Sequence, residues 1–280
     1  LITRKLEENK RMKISKYKAT IAVLAMALGT SLVSAQTATQ TPPPAKKPAT
    51  STATKSTAAA KPAGPGYDKA LLTPALLKAK APDDFSVKFV TTKGDFTVQV
   101  TRAWAPLGAD RFYNLAKHHF FDGVTFFRVI PGFVAQFGIS PYPAVAKAWD
   151  GDAARIKDDP VIRHNTKGTL VFATSGANTR STQLFINYAD NSRLDASGFS
   201  PFGEVSDGMD VVLSFFGGYG DAGAPDQEKM TAQGKAYTDA GFPKLDSVKT
   251  ATLIEPPKPA ATPAKKPAPK PATTPKPQGN

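Results

Sequence analysis

Arg128, Phe133 and Gln136 are the residues of this 280-residue chain whose types and spacing suit chemistry. They lie in Val124–Gln136, which reads Val-Thr-Phe-Phe-Arg-Val-Ile-Pro-Gly-Phe-Val-Ala-Gln. Its β-branched and aromatic opening fits a pleated strand. Pro131-Gly132 ends that strand, because proline cannot donate to a ladder and glycine favours a turn. A cation inside an apolar run must be paired, exposed at an edge, or held for a ligand. Strand alternation predicts Phe126, Arg128 and Ile130 on one face, with Thr125, Phe127 and Val129 on the other. A guanidinium beside Phe133 and Gln136 would make an apolar site with a few aimed donors, the usual make-up of a small recognition pocket.

The elements that must position these residues are mostly strands. Phe85–Thr91 and Phe96–Thr101 alternate apolar and polar residues around a Lys93-Gly94-Asp95 turn, a hairpin with one buried face. After Pro106 the spacing becomes helical, with Leu107, Phe112, Leu115 and Ala116 on one stripe. His118 and His119 are adjacent, so they point in different directions on a helix and predict no shared metal. A loop-rich passage is expected from Phe137 to Thr166, in which Asp158-Asp159-Pro160 reads as a turn. Gly168–Ala173 and Gln183–Asn187 read as core strands, joined by the small and polar residues Thr174–Thr182. Phe202–Val205, a helical Gly208–Phe215 and a closing strand within Leu245–Glu255 complete the pattern. The glycine-rich Gly217–Gly220 has no helix start placed to cradle a phosphate, which argues against a nucleotide site. Many strands, two helical stretches and no repeating β-α unit predict a mainly β antiparallel barrel or sandwich capped by helices.

The net charge of +13 first suggests an anionic partner. Its distribution points elsewhere. Residues 1–66 hold 11 Lys/Arg and 2 Asp/Glu, and residues 256–280 hold 5 Lys and no acid. The middle keeps 20 basic and 21 acidic residues, a net charge of −1, so no nucleic-acid partner is expected. There is no cysteine, which excludes disulfides, thiol chemistry and Cys-ligated zinc. Met12, a basic stretch, apolar Ala19–Leu28 and Val33-Ser34-Ala35 read as a signal peptide with cleavage after Ala35. Residues 1–11 would then precede the true start, and the protein would be exported to a periplasmic or extracellular space. The Thr/Pro/Ala/Lys tracts cannot repay their ordering entropy and read as extended, disordered tails. The expected organisation is therefore 1–35 leader, 36–82 linker and lead-in, 83–255 folded domain, and 256–280 tail. The tails are expected to be solvated spacers, with weak contact to anionic envelope surfaces as the alternative.

The residues Phe127-Arg128-Val129-Ile130, Phe133 and Gln136 resemble the active-site signature of cyclophilins. A second block, Gly168–Asn187, carries Gln183 and Phe185 at its two telling positions. Leu194-Asp195 with Phe202-Gly203, and then Leu245–Glu255, resemble two further blocks in the same order. The resemblance spans roughly residues 83–255. It implies an eight-stranded antiparallel β-barrel capped by two helices, and peptidyl-prolyl cis-trans isomerase activity on proline-containing peptides and folding client proteins. It also implies Arg128 as the catalytic donor, with Gln136 and Phe133 beside it. Val134, Phe185, Leu194 and Phe199 would complete the proline pocket, and Ala173, Thr174 and Gln183 the neighbouring groove. No metal and no cofactor is required, and a monomer is expected.

The chain departs from the family pattern at Phe137-Gly138-Ile139, at Ala173-Thr174-Ser175, and at Arg193, which stands where a tryptophan is usual. Phe199-Ser200-Pro201 replaces the pocket histidine region with one residue inserted. Two competing readings are a proline-peptide-binding or chaperone module with little turnover, and a surface-tethered protein acting through its basic tails.

Overall fold

The computed structural model describes residues 66–254. The expected leader, residues 36–65 of the linker and the C-terminal tail lie outside them. Eight strands are present among the described residues. They are β1 Asp84–Thr91, β2 Asp95–Thr101, β3 Arg128–Ile130, β4 Val134–Phe137, β5 Thr169–Phe172, β6 Leu184–Asn187, β7 Pro201–Asp207 and β8 Val248–Ile254. They form one antiparallel sheet in the order β3-β4-β6-β5-β7-β2-β1-β8. The sheet curls until its edges meet. Thr125 and Ser247 form a bridge, and Gly123, Phe126 and Val248 donate backbone bonds across the same seam. This is the mainly β architecture expected, with closure made by a short seam instead of a full ladder.

Alternation in the first hairpin does what the pattern predicts. Phe85, Val87, Phe89, Phe96, Val98 and Val100 all point inward and are buried. Phe89 and Phe96 are cross-strand partners whose rings stack 4.8 Å apart. On the far side of the barrel, Leu170, Phe172, Leu184 and Ile186 enter the same core, so their strand neighbours must face outward. In β8 the burial follows Val248 and Ala251, three residues apart, because the β1–β8 register shifts at Val90/Thr91.

Among the described residues, five α-helices accompany the sheet: α1 Pro106–Lys117, α2 Pro143–Asp150, α3 Met209–Leu213, α4 Gln227–Gln233 and α5 Lys235–Gly241. The expected two helical stretches correspond to α1 and α3, and the other three were not anticipated. Phe112, Leu115 and Ala116 of α1 are buried as the stripe predicts, but Leu107 is 43% exposed. Leu107 sits in the first turn, at the edge of the barrel, and its backbone N–H is held by Asp159. α2 falls inside the passage expected to be loop. Its proline at N1 and buried Val145, Ala146 and Trp149 make it an ordinary amphipathic helix, too short for periodicity to announce. The lead-in before β1 also packs. Leu71 is buried, and the Trp149 indole donates to its carbonyl at 2.8 Å.

The predicted sharing of faces in 125–130 fails. Phe126 and Val129 both enter the main core, whereas Phe127 packs with Ile139, Ala146 and Met230. The Phe126 N–H bonds to Asp246 across the seam, and β3 begins only at Arg128. That break between two pairing partners resets the period of two.

Candidate active site

The sheet register builds the site. Arg128 of β3 lies directly opposite Gln136 of β4, Gln136 opposite Phe185 of β6, and Phe185 opposite Val171 of β5. Facing residues across a sheet stand on one side of it, so these four form a row on the outer face. The turn at Pro131-Gly132, with the Phe133 N–H bonded to the Ile130 carbonyl at 2.9 Å, turns the chain back so that Phe133 overhangs that row. Val134, Val171, Phe185, Leu194 and Phe199 form a separate apolar cluster there, with Phe133 and Ala173 packed against it. Phe185 meets Phe199 edge-to-face at 5.6 Å.

A polar chain runs along one side of this cluster. Arg128 Nη1 donates to Gln136 Oε1 at 3.2 Å, Gln136 Nε2 to Gln183 Oε1 at 2.9 Å, and Gln183 Nε2 to Gln227 Oε1 at 2.9 Å. Because a guanidinium only donates, its bond to Gln136 fixes the orientation of each amide after it. Arg128 Nε also donates to Asp221 at 2.5 Å. The Arg128 side chain is 8% exposed and that of Asp221 41%. The cation is therefore paired, and its partner is a half-exposed carboxylate. The guanidinium carbon lies 6.0 Å from the centre of the Phe133 ring, and that of Arg193 lies 5.0 Å from the same ring.

The structure thus brings together Arg128, Phe133, Val134, Gln136, Ala173, Gln183, Phe185, Leu194 and Phe199. Thr174 is adjacent through Ala173, but its hydroxyl is committed to its own loop, to Thr179 and to the Gly176 carbonyl. Sequence reasoning missed Val171, Asp221 and Gln227. Val171 could have been placed from strand alternation, since Leu170 and Phe172 face the core. Asp221 and Gln227 had no such signal, because they follow a glycine-rich loop of no regular period. Also missed was the buried amide network of Asn165, Asn187 and Asn191 beneath the pocket. Asp195, from the third resembling block, accepts from the Asn165 backbone at 3.0 Å, its side chain at 2.6 Å, and His164 at 2.7 Å. Burial pushes that carboxyl up, but these hydrogen bonds outweigh it and hold the group below the ordinary carboxylate range.

A family model described as cyclophilin type peptidyl-prolyl cis-trans isomerase/CLD matches residues 86–231. The chain belongs to this family. A peptidyl-prolyl cis-trans isomerase of Acinetobacter baylyi is 38% identical over 143 residues, covering 49% of this chain and 74% of the relative. A peptidyl-prolyl cis-trans isomerase-like 1 of Rhizopus delemar is 36% identical over 124 residues, covering 44% and 74%. A solved cyclophilin type peptidyl-prolyl cis-trans isomerase of Cryptosporidium parvum superposes on 62% of this chain and 99% of its own length, with 18% identity and a TM-score of 0.46. This cyclophilin is a peptidyl-prolyl cis-trans isomerase. The matched region includes both signature blocks and reaches into α4.

Proposed function

We propose that this cyclophilin isomerises Xaa-Pro bonds by aiming Arg128 at the prolyl nitrogen, and that it does so outside the cytoplasm. Rotation is slow because amide resonance must be broken, a barrier of about 18–20 kcal/mol. In the twisted state conjugation is lost and the nitrogen becomes a pyramidal amine with a free lone pair. A donor aimed there binds the twisted form better than either planar form, which is the condition for rate enhancement. One preorganised donor contributes about 3–4 kcal/mol. Phe133, Val134, Phe185, Leu194 and Phe199 would hold the proline ring while the other side of the bond turns. Gln136 would steady Arg128 and bond the peptide backbone, and Ala173, Thr174 and Gln183 would line the groove for neighbouring residues.

The observation that carries this reading is the position of Arg128 directly across from Gln136, at the end of a row that runs on into Phe185 of the apolar cluster. The test is a protease-coupled or NMR exchange assay on an Xaa-Pro peptide. Arg128→Ala should lower kcat/KM by at least about tenfold, equivalent to 1.36 kcal/mol. An unchanged rate would remove Arg128 from this role. The setting proposed is the cell envelope, where the enzyme would assist client proteins as they fold. The support is the leader-like pattern of residues 12–35. Mass spectrometry of the exported protein should find Gln36 at its N-terminus.

A further inference from the structure

Asp221 lies outside both signature blocks, yet it holds the guanidinium on which the proposed mechanism depends. The segment that delivers it is built for close approach. Gly217 passes so near the β3–β4 turn that a Cβ there would stand 3.1 Å from Pro131 Cγ and 3.4 Å from the Val129 carbonyl oxygen. Gly220 bonds back to Gly217, and Gly223 to Tyr219, whose ring meets Phe216 and Phe242. Asp226 then caps α4 by accepting from the Lys229 N–H at 3.0 Å. Met230 of α4 packs on Phe127, the residue before Arg128. Asp221 and Gln227 therefore belong to one braced strap that touches both ends of the polar chain, Arg128 at one end and Gln183 at the other.

This arrangement assigns each nitrogen of the guanidinium. Nε is taken by Asp221 and Nη1 by Gln136. Nη2 makes no hydrogen bond among the described residues, and it is not one of the buried polar atoms without a partner, so it keeps access to solvent. With two nitrogens held, the third can point in one direction only. The carboxylate also opposes the positive charge that a lone pair would feel. At 41% exposure, however, much of that opposing field is screened by water, whereas the fixing of a long flexible side chain is not.

We propose that Asp221 is a positioning residue for catalysis: it turns the Arg128 guanidinium so that Nη2 is presented to the prolyl nitrogen. The inference rests on Arg128 being the catalytic donor. The experiment compares parent, Asp221→Ala, Asp221→Asn, Arg128→Ala and the Arg128→Ala/Asp221→Ala pair on one Xaa-Pro peptide, with a thermal melt of each. Asp221→Ala should lower kcat by about ten- to a hundredfold with KM little changed, the cost of a misdirected catalytic group. Asp221→Asn retains an oxygen that can accept from Nε, and it should recover most of the loss. In the Arg128→Ala background, the Asp221 substitution should have no further effect on kcat. An Asp221→Ala rate at or above the parent, an Asp221→Asn rate above the parent, or an equal loss in the Arg128→Ala background would each overturn the proposal. If Arg128→Ala itself matches the parent, the catalytic reading fails too. If it falls while Asp221→Ala does not, only the role of Asp221 is lost.

Discussion

Asn191 Nδ2 donates to the Phe133 carbonyl at 2.9 Å, tying the overhanging wall of the apolar pocket to the floor beneath it. The same amide nitrogen reaches Asn187 Oδ1 at 2.7 Å, and Asn187 Nδ2 reaches Asn165 Oδ1 at 3.2 Å and Thr169 Oγ1 at 2.8 Å. Asn165 Nδ2 in turn donates to the Phe199 carbonyl at 2.8 Å. Phe133 and Phe199 stand on different loops, and three buried asparagines fix the gap between them.

Asn187 is the centre of that network, so Asn187→Ala should strand polar groups on both neighbours. Leaving buried partners unsatisfied costs about 1–3 kcal/mol. Urea denaturation should show a loss in that range. In the isomerase assay KM should rise more than kcat falls, because the pocket loosens while Arg128 stays held. An unchanged KM would mean that the pocket walls are set by packing alone.

Acid should weaken the fold through carboxylates held in the same way. The Asp195 carboxyl is lowered by Asn165 and His164 against an opposing push from burial. Asp110 is likewise raised by burial, but bonds from Arg102 and the Ala81 N–H bring it below its ordinary value. A carboxyl whose folded-state pKa is depressed stabilises fully above its unfolded value, near 4, and loses that contribution as pH falls through the folded value. Urea midpoints should therefore hold steady from neutral pH to about 5 and decline below about 4. Asp195→Asn should flatten part of the decline. A midpoint for Asp195→Asn that falls as steeply as the parent's would show that this carboxyl is not a source of the acid lability.

Asp159 joins three parts of the fold. Its carboxylate accepts from the Leu107 and Gly108 N–H groups at 3.0 and 2.9 Å, at the start of α1, and from Arg180 Nη1 at 3.0 Å. Both charged side chains are 3% exposed. Asp159→Ala would uncap the helix and leave a buried guanidinium short of a partner, at a cost of about 3–5 kcal/mol. For a domain of this size that is a fall in Tm of about 6–20 °C. Asp159→Asn keeps an acceptor and should lose less. Equal melting of parent and Asp159→Ala would show that the pair contributes nothing net.

What the sequence made legible was what repeats or what touches the sheet face. Phe85–Phe89 and Phe96–Val100 each alternate without interruption on either side of the turn, so the first hairpin and its buried face could be read directly. Arg128, Val134, Gln136 and Phe185 sit on β3, β4 and β6, whose register sets Arg128, Gln136 and Phe185 in one row, and the resemblance had named these residues. Phe133, Leu194 and Phe199 stand outside the strands, where no period of two applies. Phe126 escaped because the edge seam breaks the strand one step before Arg128, and a period of two cannot be read through a break. Leu107 matched the helical stripe but stands in the first turn, where the stripe runs past the edge of the barrel. Asp221, Gln227 and Asp159 act through tertiary contacts from 21 to 93 residues away in sequence, and no local pattern encodes those.

Gly138 is where backbone geometry and the groove meet most directly. It follows β4 with φ +105°, and a Cβ there would stand 2.3 Å from the Thr182 carbonyl oxygen and 2.9 Å from Gln183 Cα. The strained φ alone costs an alanine about 1–3 kcal/mol. The overlap adds to it, because the obstruction is backbone and cannot rotate aside. Thr182 also donates its hydroxyl to the Gly138 carbonyl at 2.8 Å, so the two chains are already locked together. Gly138→Ala must therefore push the Thr182–Gln183 backbone outward, carrying Gln183 away from Gln136. The expected result is a Tm lower by about 4–12 °C, together with a KM for the Xaa-Pro peptide that rises even at temperatures where the variant is fully folded. A variant that melts early but binds its peptide as the parent does would show that Gln183 is not held by this contact.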